Sequence, residues 1–230
     1  MIKELNVELI GHYGSDMTHA QSAWTSTARD ITEEKKTRIP ELLKYLAEHE
    51  HETPFEKSFF HFLVEVDQAT HIHILKHRIG VSVNGESARY KELMDKYYIP
   101  EDWGNILVKE KGQLDWLGTL NGDNLNWGDV LSAYTELGNK LYHMSLNQVN
   151  DGGLGRKRAK ETSRFFRSMN TMITLDVSFN WRSFYHFYQL RSAENAQVEV
   201  RIIANKMLEL IKEIPTNPFQ HTISAFGLNK

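Results

Sequence analysis

Between residues 76 and 90 the chain reads KHRIGVSVNGESARY, which sets Lys76, His77 and Arg78 in successive positions and then, past Asn84-Gly85, brings Ser87, Ala88, Arg89 and Tyr90. Two cations and an imidazole, followed by a hydroxyl and a third cation, are more donors than a folding segment needs. They suit an anion. Three further arginines stand in segments otherwise rich in apolar and aromatic residues: Arg164 in TSRFFRSMN, Arg182 in NWRSFYHF and Arg191 in YQLRSAEN. A guanidinium among aromatics is costly unless an anion or a planar partner meets it. A surface ion pair would account for any one of Arg89, Arg164, Arg182 and Arg191. Taken with the 76–90 cluster they fit a nucleotide or dinucleotide site better.

Three other groupings could carry chemistry. THIHILKH offers His71, His73 and His77. On a strand the first two would share a face, but on the helix that the pattern predicts only His73 and His77 lie one turn apart. No carboxylate completes a metal set there, so polar or ligand-contacting histidines are the better reading. HEHETPFEK (49–57) lacks the His-Glu-x-x-His spacing of a zinc site, and Pro54 breaks any helix across it. It reads as a helix end turning into a strand. NDGGLGRKRAKE (150–161) is a glycine loop feeding a basic helix, without the Gly-Lys-Ser/Thr ending of a phosphate loop. An ordinary loop and helix start is the better reading, with backbone phosphate contacts as the alternative.

The elements that must position these groups follow from periodicity. RIPELLKYLAEH (38–49) sets Ile39, Leu42, Leu43 and Leu46 at helical spacing with Pro40 in the first turn, and SFFHFLVEV (58–66) alternates as a strand. Residues 67–79 predict a helix that delivers the cationic cluster at its C-terminal end, where cations are favoured. Residues 101–127 carry turn residues without a sustained period and predict a surface excursion. Residues 128–147 predict a helix with Leu131, Tyr134, Leu137, Leu141 and Met144 in phase. TMITLDVSF (171–179) alternates as a strand, NWRSFYHFYQLRS (180–192) predicts a helix capped by Asn180, and residues 194–213 predict a last long helix. Helices and strands are mixed without regular alternation. The expected class is therefore α/β (mixed α+β), one domain over 1–230 with a central sheet flanked by helices.

With 230 residues, 25% of them charged and a formal net charge of −3, the chain can bury one sizeable core and is not suited to non-specific nucleic-acid binding. No apolar run reaches membrane-spanning length, so no membrane partner and a cytoplasmic location are expected. The absence of cysteine removes disulfides, thiolate metal sites and a thiolate nucleophile together. Any chemistry must use other groups or a borrowed cofactor.

Together these stretches resemble the flavin-dependent thymidylate synthases, a family marked by Arg-His-Arg, a short spacer, then Ser and an Arg-Tyr. Here that string is Lys76-His77-Arg78, IGVSVNGE, and Ser87-Ala88-Arg89-Tyr90. HETPFE (51–56) is similar to the family's upstream block and NWRSFYHFYQLRSAENAQ (180–197) to its downstream segment. The resemblance implies reductive methylation of dUMP to dTMP, with FAD as hydride carrier, methylenetetrahydrofolate as carbon donor and NADPH as reductant. It also implies a homotetramer of the family's fold, with active sites between subunits. A flavin would explain the missing cysteine, because hydride delivery avoids the thiolate that unrelated thymidylate synthases use.

Residue by residue, the resemblance matches Ser26, Thr53, His77, Arg78, Asn180 and Arg182 to flavin-binding positions, with Lys76, His186 and Asn195 at neighbouring ones. It matches Ser87, Ala88, Arg89, Arg164 and Arg191 to the nucleotide, with Arg89 and Arg164 at the phosphate and Arg191 at the pyrimidine. His51, Glu56 and Tyr90 match residues lining the flavin and folate side. The catalytic set it implies is Arg191, Ser87, His51 and Tyr90, acting by orientation and charge rather than covalent attack. The sequence also departs from the family. Lys76 replaces an arginine, one extra residue precedes Ser87, the acidic Glu86 sits directly before that serine, and His73 stands at a nucleotide-facing position usually held by Gln. These changes leave a relative acting on another pyrimidine nucleotide, or adding another one-carbon group, as the alternative. A non-catalytic nucleotide-binding protein is the alternative from another class.

Overall fold

The computed structural model describes residues 4–109, 114 and 124–229. Its strands are β1 (Asn6–Tyr13), β2 (Phe59–Asp67), β3 (Val81–Gly85) and β4 (Met172–Phe179), joined in one sheet in the order β1-β2-β4-β3. The helices are α1 (Asp16–Trp24), α2 (Glu33–Thr37), α3 (Ile39–Glu48), α4 (Gln68–Leu75), α5 (Trp127–Val149), α6 (Gly155–Ser163), α7 (Trp181–Arg191), α8 (Val198–Lys212) and α9 (Gln220–Ala225). The mixed α and β class expected from the sequence is the class observed. The chain divides into two compact units, one of residues 1–5, 65–72 and 85–174, the other of residues 6–64, 73–84 and 175–230. No helix among the described residues is long and apolar enough to cross a membrane.

The second unit takes its core from the predicted alternation. Phe60, Phe62 and Val64 of β2 and Leu175, Val177 and Phe179 of β4 are fully buried, and Trp181, Phe184 and Phe187 of α7 pack against them. Each such side chain contributes about 1.5 to 3 kcal/mol of burial, so this aromatic layer fixes where α7 lies. Val200, Ile203, Met207 and Ile211 bury one stripe of α8, and Ile39, Leu43 and Leu46 bury one stripe of α3. β1, α1 and α9 were not legible in the sequence. In β1 only Val7 is buried, and an edge strand with so little inward side chain leaves a weak alternation.

The first unit is built on α5. Its cap is Asn126, whose side chain accepts from the Asp129 N–H while the Asp129 carboxylate accepts from the Asn126 N–H. The predicted apolar stripe is present but faces outward: Tyr134, Leu137, Leu141 and Met144 are exposed, and Thr135, Asn139, Tyr142 and Leu146 form the buried face. Tyr142 and Leu146 pack with Ala159 of α6. Of the predicted excursion at 101–127, residues 110–113 and 115–123 lie outside the described residues. Its two ends pair with each other through the Val108 N–H to Leu125 carbonyl bond of 2.9 Å, above a small cluster of Val108, Leu125 and Val130.

The helix predicted over 67–79 stops at Leu75. The chain instead turns through Lys76–Gly80, with Gly80 at φ +68°, and enters β3, a strand the sequence hid behind its Asn84-Gly85 turn signal. The turn buries His77 while Lys76 and Arg78 point outward, a division that a continuing helix would not make.

Candidate functional site

In the second unit the site begins at the α7 N-terminus. Asn180 caps the helix by accepting the Ser183 N–H at 2.8 Å, as its sequence position predicts, and the Ser183 hydroxyl donates to the Gly80 carbonyl at 2.8 Å. This ties the turn after α4 to the cap. A Cβ at Gly80 would lie 2.8 Å from Asn180 Nδ2, so the close approach as well as the positive φ requires glycine. Beside the cap lies a cavity of about 420 Å³ whose walls include Glu52, Glu56, Gly80, Asn180, Arg182 and His186.

Arg182 enters this cavity held by two carboxylates, with Nε 2.6 Å from Glu52 Oε2 and Nη1 2.6 Å from Glu56 Oε1. Glu56, followed by Glu52, raises the pKa of the guanidinium above its ordinary value. The two glutamates lie one helical turn apart on the HETPFE segment, which puts both within reach of one planar fork. Glu52 was not singled out from sequence. Its partner lies more than a hundred residues away, as the 126-residue separation of Glu56 and Arg182 illustrates.

Arg191, in the last turn of α7, donates from Nε to His77 Nε2 at 2.9 Å and from Nη2 to the His73 carbonyl at 3.3 Å. A guanidinium can only donate, so His77 accepts through Nε2 and carries its proton on Nδ1. Burial first, then the charges of Arg191 and His186, push the His77 pKa down to about 4. The imidazole is therefore neutral at neutral pH. Its ring meets Phe187 edge-on at 5.0 Å and His186 at 6.0 Å.

The other expected residues of this unit are more dispersed. Ser26 is exposed just beyond α1 and donates to the Ala23 carbonyl, Thr53 opens the short turn Thr53–Lys57, and Asn195 is exposed between α7 and α8. Lys76 and Arg78 are exposed, and no ion pair engages either charge among the described residues. None of these five lines the Asn180–Arg182 cavity. His51 is exposed, with its ring 6.1 Å from Tyr45.

In the first unit, Ser87 begins a turn by accepting on its carbonyl from the N–H groups of Tyr90, at 3.0 Å, and Lys91, at 3.2 Å. Ala88 is buried beneath the turn, while the Tyr90 side chain is 83% exposed and free to meet a ligand. Glu86 forms an ion pair with Lys91. Arg89 pairs through Nε with Glu161 of α6 at 3.0 Å, and Arg158 reaches the same carboxylate at 3.4 Å. Arg89 first of all holds the Glu161 carboxyl below the usual carboxylate range. Arg164 is exposed on the turn Arg164–Phe166. Behind it Arg167 is almost wholly buried, lying 2.8 Å from Asp95, 2.6 Å from the Leu93 carbonyl and 4.2 Å from the Tyr142 ring centroid. Of the four arginines that sequence set apart, Arg89, Arg182 and Arg191 thus have internal partners. Among the described residues no three His, Cys, Asp or Glu side chains gather as a metal would need.

Comparison with known proteins bears on this arrangement. The sequence matches the family described as thymidylate synthase complementing protein over residues 8–216. It is 29% identical over 211 residues to the flavin-dependent thymidylate synthase of Thermosipho melanesiensis, spanning 90% of this chain and 85% of that protein. It is 29% identical over 208 residues to the flavin-dependent thymidylate synthase of Ehrlichia ruminantium, spanning 90% and 66%. Among solved structures it shares its fold with the UMP/dUMP methylase PolB from Streptomyces cacaoi bound with 5-Br dUMP, at TM-score 0.76 and 23% identity over 98% of this chain and 95% of that one. The same methylase bound with 5-Br UMP aligns at TM-score 0.72 and 24% identity.

Proposed function

The chain belongs to the thymidylate synthase complementing protein family, and we propose that it catalyses the reductive methylation of dUMP to dTMP with FAD, methylenetetrahydrofolate and NADPH. The observation that carries this reading is the meeting of flavin-matched and nucleotide-matched residues in one hydrogen bond, His77 to Arg191, beside a cavity walled by flavin-matched Asn180, Arg182 and His186. A cavity of about 420 Å³ lies within the range that small-molecule sites occupy, and its guanidinium, two carboxylates and Asn180 amide supply the donors and acceptors that a ring-bearing cofactor needs. A flavin supplies hydride chemistry that needs no thiolate, in keeping with a chain that has no cysteine.

In this reading Asn180, Arg182, His186, His77 and Arg78 hold the flavin, with Lys76, Ser26, Thr53 and Asn195 at its periphery. Arg191 orients the pyrimidine, and Arg89 and Arg164 take the phosphate. Glu161 now occupies Arg89, so a bound phosphate shares or displaces that carboxylate. His51, Glu56 and Tyr90 border the carbon donor. Ser87 positions the nucleotide through its turn. The reading extends to a homotetramer, supported by the exposed apolar face of α5 at Tyr134, Leu141 and Met144. Light scattering that returned a monomer would remove that part.

The experiment is direct. Purified protein supplied with FAD, NADPH and methylenetetrahydrofolate converts dUMP to dTMP, whereas flavin-loaded protein that forms no dTMP overturns the reading. A second reading, action on another pyrimidine nucleotide, is favoured by His73 and Glu86 and by the fold-neighbour described as a UMP/dUMP methylase. Parallel assays with UMP and dUMP decide between them.

A further inference from the structure

The second unit carries another cavity, of about 480 Å³, that shares no lining residue with the one beside Asn180. Trp24, Leu42 and Tyr45 supply apolar and aromatic wall, and Lys35, Arg38 and Glu41 supply charge. Lys35 is committed internally. Its ammonium donates to the Ala28 and Asp30 carbonyls at 2.9 and 2.8 Å, pairs with the Asp30 carboxylate at 3.0 Å, and sits 5.5 Å over the Trp24 ring. This fixes one aromatic wall in place.

The remaining groups are uncommitted. The exposed Arg38 guanidinium, the Tyr45 hydroxyl and the Glu41 carboxylate have no hydrogen-bond or ion-pair partner among the described residues. Arg38 caps α3 by position only, making no side-chain capping bond. A concave aromatic surface with one free fork, one free hydroxyl and one free carboxylate asks for a flat ring, an anion and an N–H donor. We propose that this cavity binds a planar aromatic ring that carries an anionic group and an N–H donor: the ring rests on the Trp24 and Tyr45 wall, Arg38 takes the anion and Glu41 accepts from the N–H.

The wall continues toward residues already given roles. Tyr45 stacks on His49 with centroids 4.1 Å apart and meets His51 edge-on at 6.1 Å. Thr27, on the cavity wall, follows Ser26 in the chain. Two participants in the proposed reaction contain the required chemistry. One is the p-aminobenzoylglutamate half of the carbon donor, whose benzamide N–H is the donor because its bridged aryl nitrogen carries no hydrogen. The other is the 2′-phosphoadenosine half of the reductant, whose adenine amino group is the donor. That attribution rests on the function proposed above, whereas the site itself is read from its own geometry.

The test uses the full-length chain and two probes, p-aminobenzoylglutamate and adenosine 2′,5′-bisphosphate, in separate calorimetric titrations. At least one is expected to bind, to quench tryptophan fluorescence, and to lose about ten-fold or more in affinity in Arg38→Ala, as loss of a charge-assisted contact implies. Trp24→Phe should remove the quench while keeping most of the affinity. Arg38 and Tyr45 are surface residues, and circular dichroism with thermal melts confirms that Arg38→Ala folds. Binding of the first probe alone assigns the site to the carbon donor, and of the second alone to the reductant. Failure of both probes to bind below millimolar concentration, or equal affinity in wild type and Arg38→Ala, overturns the proposal. Neither probe is a pyrimidine nucleotide or carries an isoalloxazine ring, so these outcomes are scored independently of dTMP formation.

Discussion

At the scale of single residues the His77–Arg191 pair has the clearest consequence. Arg191 spends its Nε on His77 and one Nη on the His73 carbonyl, which leaves Nη1 for a ligand and holds the guanidinium plane still. A planar fork already fixed on one side is preorganised on the other. Arg191→Ala is therefore expected to weaken dUMP binding by about 2 to 4 kcal/mol, and Arg191→Lys to recover little, since it restores charge without the fork. Titration of the flavin spectrum with dUMP measures both, and an Arg191→Ala protein that binds dUMP normally but loses FAD would reverse the assignment. The same change removes one of the charges that depress His77, so its pKa should rise toward 6.5 while burial keeps it lower. The imidazole resonances in a pH titration show this. Ser87 is different. Its hydroxyl receives only a 3.4 Å contact from the Arg89 N–H, and it has no base beside it. Ser87→Ala should keep measurable turnover, and complete loss with nucleotide binding intact would mean that the hydroxyl has a chemical role.

At the scale of elements, the sequence foretold what repeats within a few residues and missed what depends on distant pairing. The helices at 38–49 and 180–192 and the strands at 58–66 and 171–179 appear as α3, α7, β2 and β4 because one continuous face of each is buried. The Asn180 cap was legible for the same local reason. The outward stripe of α5 was not, because periodicity shows that a helix is amphipathic but not which side its own unit covers. Arg167 had no signal either, although it does much to place α5. Its side chain joins Asn139 of α5 to Asp95 and the Leu93 carbonyl, just behind the turn that carries Arg164. Arg167→Met should leave buried acceptors unpaired and cost about 2 to 4 kcal/mol, read by urea melts. A loss under 1 kcal/mol would show that water replaces the guanidinium at little cost. The turn before β3 gives a second test. Gly80→Ala places a Cβ against Asn180 at a left-handed φ and should cost about 1 to 2 kcal/mol, lowering FAD uptake more than its stability loss alone explains. Unchanged FAD affinity would separate this turn from the cofactor site.

For the molecule as a whole, two buried histidines set how stability responds to acid. In the second unit Asp16 accepts both the N–H of Thr222, at 2.8 Å, and its hydroxyl, at 2.6 Å. The threonine proton is thus committed to Asp16, and His19 Nδ1 must be the donor in its 3.0 Å bond to Thr222 Oγ1. That leaves Nε2 a bare acceptor with no partner, in a ring packed against Phe55 at 5.2 Å and Phe219 at 5.8 Å. A proton there would put a charge in an aromatic box, and burial pushes the His19 pKa down to about 3. His77, at about 4, is depressed in the same direction. Because both values fall below the ordinary 6.5, the unfolded chain takes up these protons first as the medium is acidified. The stability they protect is complete above about pH 6.5 and is lost as pH falls, through about 4 for His77 and about 3 for His19. Melting temperature should therefore drop from pH 7 to pH 4 in wild type. His19→Gln and His77→Gln, each less stable at neutral pH, should show a shallower acid slope, since neither glutamine takes up a proton. Acid profiles that run parallel in wild type and both variants would mean that carboxylates alone govern the response.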